Sequence, residues 1–123
     1  MSYLLDTQIV IWIAHQDRRF QRDVADVVLT KQCWISVASL WEIAIKRAIG
    51  KLEIKDDFVG WPEANGFSIL PIALEHVWAT RNFPLHHRDP FDRLLASQAL
   101  AEGLTLVTSD PAISLYGCDI LRI

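Results

Sequence analysis

Short apolar runs that break off at an acid or a hydroxyl, with residues at helical spacing close behind, recur along this chain. Tyr3-Leu4-Leu5 stops at Asp6-Thr7 and leads into Ile9, Val10, Ile11, Trp12 and Ile13, ending near His15. Cys33-Trp34-Ile35 stops at Ser36 and leads into a helical stretch over 37–49, while Thr105-Leu106-Val107-Thr108 stops just before Asp110-Pro111. Runs this short read as strands, and strands that alternate with helices are joined by right-handed crossovers into a mainly parallel sheet covered on both faces. The expectation is an α/β fold, a three-layer α/β/α sandwich around a mainly parallel central sheet of four or five strands. Residues 67–72 supply a further strand and 119–123 an edge strand. A chain of 123 residues with 51% hydrophobic content can bury one core but not two, so residues 1–123 are expected to form a single domain.

The best-marked helix is Pro90–Glu102. Asp89 suits its N-cap, Pro90 sits at the first position, Asp92 at the third, and Gly103 suits the left-handed turn that ends it. Ser36 is a candidate N-cap for 37–49, which Gly50 closes. Phe20, Val24, Val27 and Val28 repeat at helical spacing up to Thr30. A helix is expected over 58–65, ended by Gly66, and another over 74–81 with Val77 and Trp78 facing inward. Residues 82–87 form the loop into Asp89, with His86 and His87 as loop residues.

Composition narrows the function classes. Twelve basic against 15 acidic residues leave a net charge of −3, which lacks the basic excess of a protein that holds nucleic acid by charge alone. An enzyme with clustered acids stays open. Cys33 and Cys118 read as buried thiols of a reducing compartment. No basic region leads into an apolar one at the N-terminus, and no apolar run reaches membrane-spanning length, so a cytoplasmic protein without membrane contact is expected.

Four acids look placed to meet. In open parallel sheets the usable crevice lies beyond the carboxyl ends of the strands. Asp6 and Asp110 follow two such ends, Glu42 interrupts an otherwise apolar helix after the second strand, and Asp92 lies in the first turn of the helix before the fourth. Each has an ordinary reading as well: Asp6 and Asp110 as helix or turn caps, Asp92, with Asp89 beside it, in capping and a favourable helix-dipole interaction, and Glu42 as an i,i+4 partner of Lys46. Carboxylates held together repel one another unless a cation sits among them. Oxygen ligands alone favour Mg²⁺ or Mn²⁺, and the four His show no zinc spacing.

Leu4-Leu5-Asp6-Thr7, Ser39-Leu40-Trp41-Glu42-Ile43-Ala44-Ile45-Lys46, His87-Arg88-Asp89-Pro90-Phe91-Asp92-Arg93-Leu94-Leu95-Ala96 and Leu106-Val107-Thr108-Ser109-Asp110 resemble, in order, the acidic motifs of PIN-domain ribonucleases, and among them the VapC-type toxins of toxin–antitoxin pairs. The resemblance implies metal-dependent cleavage of an RNA substrate, a homodimer, and restraint by a VapB-like antitoxin. Asp6, Glu42, Asp92 and Asp110 match the family's four acids. Asp89 is an additional acid of this subgroup, and Gln8 departs from the commoner Asn or His after the Asp-Thr pair.

On that reading Asp6 and Asp92 hold the principal ion, and Glu42 and Asp110 complete the site through water or a second ion. Thr7 and Ser109 offer hydroxyls, while Lys46, Arg88 and Arg93 are candidates for the RNA backbone. Trp12 and Trp41, close to two of the acids, are candidates to floor a groove for the antitoxin. One rival is a haloacid-dehalogenase-type phosphatase, but that chemistry needs an acid where Gln8 stands. The other is a non-catalytic module that binds RNA or a partner on the same fold.

Overall fold

A computed structural model describes residues 2–17, 31–84 and 89–123. Its elements are β1 (Ser2–Leu5), α1 (Thr7–Ala14), β2 (Gln32–Ser36), α2 (Val37–Ala48), a 3-10 turn (Phe58–Gly60) running into the short α3 (Trp61–Ala64), β3 (Ser68–Leu70), α4 (Leu74–Ala79), a second 3-10 turn (Thr80–Asn82), α5 (Pro90–Glu102), β4 (Thr105–Thr108), a third 3-10 stretch (Pro111–Tyr116) and β5 (Ile120–Arg122). The helical pattern expected over 20–30, together with His86, His87 and Arg88, lies outside the described residues. Among the described residues no helix is long and apolar enough to cross a membrane.

The five strands form one sheet in the order β3-β2-β1-β4-β5, and every neighbouring pair is parallel. Successive residues of a strand point to opposite faces. Leu4 and Leu106 accordingly pack on one side with Ala38, Leu95, Ala96 and Ile113, and Leu5 and Val107 on the other with Ile9, Val10, Ile43, Phe58 and Phe67. The two apolar clusters on either side of the sheet make the three layers. Chain order runs from β1 outward through β2 to β3, then crosses back to β4 on the other side of β1. The switch point therefore lies between the carboxyl ends of β1 and β4, where such sheets open a crevice.

The helix ends follow the capping logic of the sequence. Asp89 Oδ1 accepts the Phe91 amide at 2.9 Å, and Gly103 adopts φ +66°, the left-handed turn that ends α5. Ser36 Oγ accepts the Ala38 amide at 3.0 Å and donates to Gln98 Oε1, which ties the start of α2 to α5. Two expectations are corrected in extent. The helix over 58–65 is divided at Gly60, because Pro62 has no amide hydrogen to extend the earlier turn, and the third strand is only Ser68–Leu70.

A third correction concerns α4. Val77 and Trp78 face outward, 51% and 67% exposed, and His76 is the inward residue at 2%. Its polarity is fully answered there. Nδ1 accepts the Ala73 amide at 3.0 Å, so Nε2 carries the proton that it donates to Glu102 at 2.8 Å, and Ser97 Oγ donates to the His76 carbonyl at 2.7 Å. Trp78 instead lies under the Arg81 guanidinium, 4.7 Å from the ring centre. Cys33 and Cys118 are buried thiols as expected, not joined in a disulfide, and burial pushes Cys33 up to about 11.

Candidate active site

The crevice at the switch point is built from backbone outward. The Asp6 amide donates to the Val107 carbonyl at 2.9 Å, which fixes the end of β1 against β4. Asp6 occupies the N-cap position of α1 with extended backbone, yet its side chain makes no capping bond. It accepts the Thr108 hydroxyl proton at Oδ2 instead, at 2.7 Å, and Thr108 Oγ1 in turn accepts the Asp110 amide at 3.0 Å. Thr108 is fully buried and joins the two acids that flank the switch point. Beside it, Thr7 Oγ1 donates to Ser39 Oγ at 2.9 Å, both buried, and ties α1 to α2 one turn before Glu42.

Asp6, Glu42, Asp89, Asp92 and Asp110 all line one cavity of about 180 Å³, with Thr7, Gln8, Lys46 and Ser109 completing its wall. The four acids expected to meet therefore share one cavity, with Thr7, Lys46, Asp89 and Ser109 beside them, while Arg93, Trp12 and Trp41 do not line it. Arg93 spends its guanidinium on the carbonyls of Thr80 and Phe83, at 2.8 and 3.4 Å, and serves the turn before α5. Trp12, on α1, is half-buried against the core, and Trp41 is exposed with its ring edge-to-face on Phe91 at 5.1 Å.

The electrostatics are strained in one direction. Burial lifts the Asp6 carboxyl above its ordinary range, and the negative charges of Glu42 and Asp110 add to the rise, while the Thr108 hydroxyl and the Thr7 amide pull it partly back. Glu42 is 8% exposed. Its Oε2 meets Lys46 Nζ at 2.9 Å, and its Oε1 is buried with no hydrogen-bond partner among the described residues. A buried carboxylate oxygen without a partner is costly, and a cation in the cavity would satisfy it.

Among the described residues no three His, Cys, Asp or Glu side chains converge on one point as a closed metal cage. The reason is visible in the bonds already made. Thr108 holds Asp6, Lys46 holds Glu42, the Ala112 amide holds Asp110 Oδ1 at 2.9 Å and the Phe91 amide holds Asp89. Spaced oxygen donors of this kind fit a hard divalent ion that keeps several of its waters and uses only a few carboxylates.

Two residues of this site were not singled out from sequence, Thr108 and Ser39. Thr108 had one available signal, a hydroxyl two residues before an acid at a strand end, where it can accept that acid's own amide.

The family model of the PIN domain matches residues 3–117. The chain belongs to the PIN domain family. Solved structures agree with this PIN domain in fold. The VapBC2 complex from Rickettsia felis bound to a promoter DNA fragment superposes with a TM-score of 0.73 at 19% identity, over 99% of this chain and 98% of that one. FitAcB from Neisseria gonorrhoeae gives 0.68 at 17% identity, over 99% and 97%, and DNA-bound VapBC from Salmonella typhimurium 0.69 at 16%, over 99% and 98%. No curated protein sequence matches the chain.

Proposed function

We propose that this PIN domain, a single domain over 1–123, is a Mg²⁺- or Mn²⁺-dependent endoribonuclease and the toxin of a type II toxin–antitoxin pair, acting in the cytoplasm. The observation that carries the nuclease reading is Glu42, a carboxylate buried beside Asp6 with one oxygen that no described residue satisfies. A chain that folds at this cost gains from it only if a cation arrives.

Asp6 and Asp92 would hold the ion, with Glu42 and Asp110 reaching it directly or through water. When bound, the ion lowers the pKa of a water and neutralises charge that develops on the phosphate oxygens. The chain's own groups do the rest. Thr108 fixes the Asp6 carboxylate in one orientation, and Thr7 and Ser39 fix the helix that carries Glu42. Gln8 and Ser109 line the cavity as uncharged donors for phosphate oxygens, where acids alone would repel RNA.

The partner half of the reading rests on the structural relatives, which are complexes named VapBC and FitAcB. A VapB-like antitoxin is the expected partner of this chain. A homodimer is supported by apolar side chains left open on α4, where Leu74, Val77 and Trp78 are exposed.

The deciding experiment incubates the purified protein with total RNA, with and without Mg²⁺ or Mn²⁺, and maps new ends. New ends that need the ion and vanish in Asp6→Asn support the nuclease. RNA retained uncut under every condition would replace it with the binding-module reading.

A further inference from the structure

Two ion pairs made by neighbouring basic residues in the last turn of α2 differ in setting. Arg47 meets Asp56 between side chains 48% and 87% exposed, an ordinary surface pair. Lys46 meets Glu42 with the carboxylate side chain only 10% exposed and the lysine 37% exposed, inside the wall of the acid cavity. Water screens the second pair less than the first. The lysine also leaves its partner incomplete, since Glu42 Oε1 stays buried and unsatisfied while Oε2 takes the ammonium.

The two ends of this pair differ in freedom. Glu42 is fixed in the middle of α2, between the Ser36 cap and the last turn, and buried on the cavity side. Lys46 sits one turn later, and its four-carbon stem can swing the ammonium between Glu42 and the open mouth of the cavity. Asp6, Asp89, Asp92 and Asp110 share that cavity. An ion drawn in by these acids competes with the ammonium for one carboxylate, because both seek the charge of Glu42.

We propose that Lys46 is a tethered counter-cation that Glu42 exchanges for the incoming divalent ion, and that the released ammonium then engages the phosphate of an anionic substrate. The proposal rests on the metal-dependent reading above. It makes ion loading and substrate binding cooperative, because the same event that completes Glu42 delivers a positive charge to the cavity mouth. It also gives Glu42 Oε2 a partner while no ion is bound.

Mn²⁺ titration of the full chain by calorimetry tests this without any turnover. Lys46→Gln keeps a hydrogen-bond donor but removes the competing charge, so it should bind Mn²⁺ about three- to tenfold more tightly than wild type, and Lys46→Arg should bind as wild type does. In wild type, the side-chain ammonium resonance of Lys46 should shift as Mg²⁺ is added. With Mn²⁺ present, a cleavage-resistant single-stranded oligonucleotide should bind Lys46→Gln about threefold or more weakly than wild type. Equal or weaker Mn²⁺ binding by Lys46→Gln, or an unmoved ammonium resonance, overturns the exchange. Equal oligonucleotide binding overturns the substrate role. If folded wild type and Lys46→Gln both fail to bind Mn²⁺, the metal-dependent reading itself falls and takes this proposal with it, an outcome distinct from equal binding by both.

Discussion

Thr108 and Asp6, 102 residues apart, are joined by a buried 2.7 Å hydrogen bond in which the hydroxyl donates to the carboxylate. Because the same hydroxyl accepts the Asp110 amide, one side chain sets the spacing of two acids. Thr108→Val keeps the shape and removes both bonds. It should cost about 1–3 kcal/mol in denaturant unfolding and weaken Mn²⁺ binding on the order of tenfold, with Thr108→Ser restoring most of both. Unchanged ion affinity in a destabilised Thr108→Val would confine Thr108 to the fold.

The raised Asp6 carboxyl makes stability depend on pH. Burial, with the neighbouring carboxylates, holds the folded value above the ordinary 3.8, so the folded chain binds this proton more tightly than the unfolded one. The Asp6 contribution is complete below about 3.8 and is lost as pH rises through the folded value. Without divalent ions, the stability of wild type minus that of Asp6→Asn should fall as pH rises from about 4 toward neutrality, and Mg²⁺ should reverse the fall. A flat difference across that range would contradict the assignment.

Asp89 and Asp92 share a helix end and a cavity but should separate by substitution. Asp89 caps the Phe91 amide, so Asp89→Ser should retain stability and Asp89→Ala should lose about 1 kcal/mol in thermal melts. Asp92→Asn should keep the fold and lower ion-dependent cleavage on the order of 100-fold or more. Loss of Mn²⁺ binding in Asp89→Ser would add Asp89 to the ligands.

The open side of α4 bears on assembly. Leu74→Glu with Trp78→Glu should leave the monomer folded, since both side chains are exposed, and should shift sedimentation from dimer to monomer. A monomeric wild type at the same concentration would remove the homodimer.

The legible parts of this molecule were those where local signals agree. Pro90–Glu102 carries its cap, its proline and its closing glycine within 15 residues, and the acids stand out because Glu42 breaks an apolar helix and Asp6 breaks a strand-to-helix junction. His76 was not legible. A helix of six residues holds too little periodicity to choose an inward side, and the partners that make a buried histidine affordable, Glu102 and Ser97, lie more than 20 residues away. Thr108 was obscured because threonine is ordinary in a strand and its role depends on a residue at the other end of the chain.

Glu42 and Asp92 ride on different helices, and the bond from Ser36 to Gln98 pins those helices together. Gln98 also donates to the Pro71 carbonyl at 3.2 Å, so the crosslink is anchored at a third point beyond β3. The conformational entropy of aligning the two acids is therefore lost when the chain folds, not when a ligand arrives. Binding at this cavity then has little backbone left to order, and its strength is governed by charge and dehydration.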